Sequence, residues 1–584
     1  MSRVRTMRRY PRRARAGNLR LRIVPAAPWA AWAPVVLDCL PSISMLDDRT
    51  RMGDSALAIL ARARHRGRGA SAPAASAAAA VAWPPAAALR AVVLALALAP
   101  ALMVAAGCAH RAAAPARPLR IAVHSDPLVL DPHLRNEALT YGVLRNVYDG
   151  LTAFDAEMRI GPALAASWEN PNDLTWVFHL RPGVRFHDGR ELTAADVVFS
   201  LERARRLPAS GFGSYLVAVD GVRALDRYNV ELTTRRPYAI LLNKLAFVLV
   251  VPAGSPPEIH DPVGTGPYRL VAYQPGGRLV LRAFDGYWGG PAAISQVEFL
   301  PIREARQRVA RLVKGELDVV QEPGPENVER LRATAGCRVL EQESLTVLYL
   351  QLKTGRPPLG DLRVRRAIDL ALDRSALVRA TLRGEGRPVG QMVGRSVFGY
   401  APDIAPPARD LAASRSLLAE AGYPGGIDLD LEFRSGRRAG EIRRQLAEAG
   451  IRLRLVERSW SDLYPRLLAH QVDLYLGGIL APSADASDLF DAMVHSRDAT
   501  LGYGDANFSD YHNSALDALI EESGSTLDML TRRAQLERSM HLLMQDLVLI
   551  PLYVPLNLFG ARDDLVWQPR RDGYLLAHEM RRRS

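Results

Sequence analysis

Apolar residues along most of this chain recur with two alternating periods, one of about two and one of about 3.6. Leu119 to Val123 alternates and runs into the polar stretch His124-Ser125-Asp126-Pro127, which predicts a strand entering a loop. Asn136 to Leu151 carries helical spacing and ends at Asp149-Gly150. Leu174 to Leu180 alternates as a strand, with turns behind it at Arg181–Val184 and Phe186–Gly189. Thr193, with Asp196 three places on, caps a helix over Ala194–Arg206. Gly221–Thr234 reads as a hairpin. Further on, Leu345–Leu352 has the look of a buried strand, and Asp361–Leu382 of one long amphipathic helix. Residues 411–476 then read helix–strand–helix–strand–helix–strand, ending in a strand at Val472–Leu476, and Val548–Val554 is a terminal strand. This order predicts an α/β protein with a wound sheet, whose ligands sit at loops beyond the carboxyl ends of the strands.

The first ninety residues break the pattern. They are rich in Ala, Arg and Pro and carry neither period, so they predict a disordered extension rather than a domain. Arg90 is followed by the mostly apolar Ala91–Ala106 and then Gly107-Cys108. A basic residue, an apolar stretch short for a bilayer span and a small-residue end describe an export signal over 91–107. Val104-Ala105-Ala106-Gly107-Cys108 resembles a lipobox, which implies acylation of Cys108 and a tether over 108–118. A signal normally begins near its start codon, so 1–90 reads as an extension ahead of the true start.

Charge follows the same division. Residues 1–107 hold 16 Arg and 4 Asp, and the remainder holds 59 basic and 58 acidic residues. The body is close to neutral, which gives no support to nucleic-acid binding. The 584 residues are too many for one core. Cys39, Cys108 and Cys337 form no CxxC pair, and neither a metal nor a cofactor is indicated.

Several stretches then resemble the family 5 extracellular solute-binding proteins. They are Tyr148–Leu151, Pro162–Trp168, Trp176–Gly189, Ala195–Ser200, Gly264–Tyr268, Tyr287–Gly290, Asp361–Ile368, Asp373-Arg374 and Leu418–Pro424. They stand in the family's order over about residues 119–570. The resemblance implies a two-lobed periplasmic-binding-protein fold (class II type, with an extra small subdomain) and a hinge. Lobe one would be 119–346 plus 553–584, with its subdomain near 150–235, and lobe two 347–552. The strands joining them would cross near Leu345–Leu350 and Ile550–Tyr553. It further implies a monomeric, lipid-anchored receptor, periplasmic or at the cell surface, that hands an oligopeptide- or dipeptide-like solute to an ABC permease and its ATPase. A nickel chelate or other non-peptide solute, and a regulator's sensor module, are the alternatives.

The best ligand loop by position is Gly477–Asp488. Peptide-binding relatives carry an aspartate here for the ligand's α-ammonium, but the aligned position is Pro482. A customary tryptophan is Ile479, and a customary Asp-Pro is Asp485-Ala486. Asp485, with Ser483 beside it, or Asp488 is left as the carboxylate able to take a cation. Ser125, Asp126 and Leu128 follow the first strand, and Phe212, Tyr215, Phe398 and Tyr400 lie in glycine-flanked loops where aromatics line pockets. Lys353 offers a local anion partner. Phe186-His187-Asp188-Gly189 reads as turn chemistry, and Arg363, Arg365 and Arg366 as a solvated face. No GxSxG, HExxH or SxxK arrangement points to catalysis.

Overall fold

The structure is a computed structural model and describes residues 117–583 apart from 435 and 437. Cys108, the export segment and the extension lie outside the described residues.

Two sheets share one strand. Leu549–Arg562 pairs antiparallel with Thr346–Leu352 through its first half and with Cys337–Glu343 through its second. Outward on one side stand Thr346–Leu352, Leu474–Leu480, Ile427–Phe433 and Ile451–Glu457. On the other side stand Val319–Gln321, Leu119–Val123, Gln296–Pro301, Arg278–Ala283 and Tyr268–Gln274. Each sheet is the floor of one α/β lobe. The chain passes between lobes twice, at residues 344–345 and 554–555, where Ser344 N donates to Pro555 O at 3.2 Å. Pro555 sits where the strand changes partners, so its missing N–H costs the ladder little. Pro551 lies at the bulge between Leu348 and Tyr349, another place a proline is tolerated.

An antiparallel sheet of Ala165–Asn172, Thr175–Leu180, Asn229–Thr234 and Val219–Ala224 forms a smaller unit on lobe one. The helix Ala194–Arg206 packs beside it and begins with the capping box expected from Thr193 and Asp196, a device worth about 1 kcal/mol. One apolar core runs from this unit through lobe one into Ile479, Phe490 and Leu536 of lobe two. A second, around Leu350, Leu431 and Ile442, belongs to lobe two.

Several expected elements differ. The helix expected over Asn136–Leu151 is only Ala138–Leu144. The buried Asn146 side chain takes the carbonyls of Gly142 and Val143 and ends it. Asp361–Leu382 is two helices, Leu362–Leu370 and Arg374–Leu382, because Asp373 caps the second by accepting from Ala376 N. The terminal strand continues to Arg562, since the second lobe supplies new partners where the first set ends. Arg365 is buried, donating to the carbonyls of Leu359, Gly360 and Asp546, not solvated as its helix position suggests.

Candidate ligand-binding site

On lobe one, the loop after the first strand is pinned from several sides. Asp126 accepts from Gly276 N at 3.0 Å, and Leu128 N donates to Thr140 Oγ1 at 2.8 Å. Ser125 and Leu128 are exposed. Beneath them the buried Asp131 accepts from Arg203, His133 N and Ile259 N. Burial works against its charge, but these donors hold its carboxyl below the ordinary range. Burial pushes His133 down to about 4. Phe212 and Tyr215 face inward: Phe212 meets Tyr215 edge-on at 5.6 Å, and both rings join Tyr141 or Phe247 in the core.

On lobe two, the strand expected to end at Leu476 continues through Gly477-Gly478 to Leu480. Ile479 is thus a buried strand residue paired with Val347, not a loop residue. Gly477 lets two tyrosines close over the strand: a Cβ there would lie 2.9 Å from Tyr349 Oη. Asp485 is buried and already engaged. Arg532 donates to both its oxygens at 2.6 and 2.8 Å, and Ser487 supplies N–H and O–H bonds to Oδ1. Phe398 runs beside it, with its N–H on Ala484 O and the Arg532 and Arg533 guanidinium groups 5.3 and 5.1 Å from its ring. Tyr400 is half-buried nearby, its N–H on Val397 O. Lys353 donates to His470 O. His187 bonds the backbone of Gly264 and Gly266, and those glycines lie flat on Val147, which accounts for the Gly-Thr-Gly run by packing.

The two lobes meet through polar groups. Lys244, on the lobe-one helix Leu241–Leu245, reaches Asp488 of lobe two at 2.6 Å, with 8% and 3% of the side chains exposed. Burial alone would weaken the Lys244 charge, but Asp488 beside it raises its pKa well above the ordinary lysine range. The other Asp488 oxygen accepts from Ser483 N and Oγ at 2.9 and 2.5 Å, and Asn243 donates to Ser483 O at 3.0 Å. Ala239 N meets Gly524 O at 3.1 Å, and Arg236 lies 5.2 Å from the Tyr503 ring centroid. Among these groups stands Asp491, half-buried, whose carboxyl makes no hydrogen bond or ion pair among the described residues. Burial raises it to about 7, with Lys244 and Arg236 opposing and Asp488 and Asp485 adding to the rise.

Of the residues expected from sequence, Ser483 and Asp485 fall together between the lobes with Phe398. Phe212 and Ile479 pack in the core, Tyr215 is buried with its ring 4.9 Å from Lys244 Nζ, and Ser125, Asp126 and Leu128 belong to a separate pinned loop. Sequence reasoning missed Asn243, Lys244, Asp491 and Arg532. Lys244 did leave a signal: it is one of three lysines in an arginine-rich chain, set within a long apolar run, Tyr238–Pro252. No group of three His, Cys, Asp or Glu among the described residues could hold a metal ion.

Two α/β lobes hinged on a pair of crossing strands, with charged groups meeting between them, define the two-lobed binding-protein class. The family model of bacterial extracellular solute-binding proteins, family 5 Middle, matches residues 159–500. The chain is 27% identical over 463 residues to the dipeptide-binding protein of Escherichia coli K12, covering 72% of this chain and 86% of that protein. It is 30% identical over 352 residues to the glutathione-binding protein GsiB of Pectobacterium atrosepticum, covering 57% and 68%. The solved structure of HbpA2 from Haemophilus parasuis superposes with a TM-score of 0.73 at 25% identity, covering 80% of this chain and all of that one. The chain belongs to family 5 of the bacterial extracellular solute-binding proteins.

Proposed function

We propose that this protein is the receptor of an ABC importer, capturing a small peptide-like solute between its lobes and delivering it to the permease without turnover. The lobes divide where the strands change partners, at 344–345 and 554–555. The observation that carries the reading is the buried Lys244–Asp488 contact, which joins residues of different lobes and supports a clamp able to close. Acylation of Cys108 holds the receptor at the membrane. No helix among the described residues is long and apolar enough to cross one.

One observation favours a second ligand class. Asp485 and Asp488, the carboxylates left to take a ligand ammonium, are occupied by Arg532 and Lys244. A solute without a free α-ammonium, such as a chelate or blocked peptide, needs no such anchor. Native mass spectrometry of protein purified from its host, followed by solution scattering with the co-purified solute, tests both. A bound solute that contracts the protein supports the receptor, and its structure decides between the classes. A protein that never contracts with the solute it carries ends the proposal. Radioactive fatty-acid labelling, lost in Cys108→Ser, tests the anchor.

A further inference from the structure

Arginines near the carboxyl end of lobe one are mostly answered by carboxylates. Arg570 pairs with Asp572 and Glu579, and Arg582 with Asp318 and Asp564. Among the described residues Arg338, Arg581 and Arg583 make no ion pair, and all three line one cavity of about 370 Å³ together with Trp567, Gln568 and Glu579. The one carboxylate among the described lining residues, Glu579, is held by Arg570 at 2.8 Å. The cavity is thus lined by three arginines that have no carboxylate partner among the described residues, in a body whose total charge is close to neutral. Trp567 is 6% exposed, its ring edge-on to Phe559 at 5.0 Å, and its Nε1 has no acceptor among the described residues. Arg338 Nε, also buried, has none either, although Arg338 Nη2 donates to Leu565 O.

The cavity lies away from the contact between the lobes. Arg338 pairs with Ala561, toward the outer end of the ladder that reaches the crossing at Glu343 and Leu556. Five residues of strand place it roughly 17 Å from that crossing. No residue that lines it takes part in the Lys244–Asp488 contact.

We propose that this cavity is a second binding site, for a small phosphate-bearing anion, distinct from the solute held between the lobes. Planar guanidinium forks match phosphate oxygens, and several of them around one cavity favour a group of more than one negative charge. The phosphate belongs either to a free phosphate ester or to the headgroup of an anionic lipid, which the anchored receptor would face.

Titration calorimetry of the purified full chain with inorganic phosphate and glycerol 3-phosphate, alongside sedimentation with vesicles of phosphatidylglycerol or phosphatidylcholine, tests this. Saturable binding to at least one phosphate probe is expected, weakened at least about tenfold in Arg581→Gln/Arg583→Gln and in Arg338→Gln. Arg581 and Arg583 are exposed and make no ion pair among the described residues, so the double variant should keep the parent unfolding midpoint. Binding of the soluble probes assigns the site to free anions. Binding confined to phosphatidylglycerol vesicles and lost in the variants assigns it to the headgroup. No saturable binding to any probe, or binding unchanged in the folded variants, overturns the proposal.

Discussion

Removing the Asp485 carboxylate would leave the Arg532 guanidinium buried without its bidentate partner, because only 2% of the Arg532 side chain is exposed. Breaking such a pair from one side costs about 3–5 kcal/mol, most of it the stranded charge. Asp485→Ala is therefore expected to lower the urea unfolding free energy by about that amount. A variant as stable as the parent would show that the pair contributes nothing. This differs from what the sequence implied, a carboxylate waiting for a ligand cation. Asp485 was legible as a special carboxylate after a strand, but its partner lies 47 residues on, and no local period reports a pairing of that range. Phe212 and Tyr215 show a related ambiguity: an aromatic in a glycine-rich loop looks the same whether it packs into the core, as Phe212 does, or also lies against a charged group, as Tyr215 does with Lys244.

Elements show where local pattern suffices and where it fails. The capped helix Ala194–Arg206 was legible to the residue, because cap chemistry is local. Gly477-Gly478 looked like a loop, since two glycines usually punctuate a strand. Here they serve close approach: a Cβ on Gly477 would fall 2.5 Å from Tyr475 Cε1. Gly477→Ala should cost about 1–3 kcal/mol through overpacking, read as a lowered thermal midpoint. An unchanged midpoint would mean the tyrosines swing aside freely. The helix Leu241–Leu245 sets the other test at this scale. Lys244→Met keeps the apolar stem and removes the charge, leaving Asp488 buried with only Ser483 to answer it. Opening hydrates that carboxylate, so the variant should favour the open form by up to about 3 kcal/mol. The expected result is a larger radius of gyration than the parent's without ligand; equal radii would exclude the ion pair as a closing contact.

At the scale of the whole molecule, the two lobes were visible only through the resemblance. Periodicity located Leu345–Leu352 and Val548–Val554 but neither Cys337–Glu343 nor the continuation to Arg562, so it could not say that one strand serves both sheets. That arrangement sets a pH dependence. Asp491 of lobe two faces Lys244 and Arg236 of lobe one, with Tyr238 and Tyr503 beside it and Asp485, Asp488 and Arg532 behind. Its carboxyl has an ordinary pKa of 3.8, and burial raises this to about 7. Separating the lobes removes the two lobe-one cations, which favour ionisation, but also rehydrates the carboxyl, and burial is the larger influence. The closed form accordingly keeps a proton that the open form releases, so closure takes up protons between about pH 4 and 7. Raising the pH through 7 works against closure, and lowering it toward 5 favours closure. Scattering of the unliganded protein should give a smaller radius of gyration at pH 5.5 than at pH 8. Asp491→Asn, neutral at both values, should abolish the difference and hold the smaller radius. A parent radius that does not change with pH, or a variant that keeps the parent's dependence, would show that Asp491 does not couple proton uptake to closure.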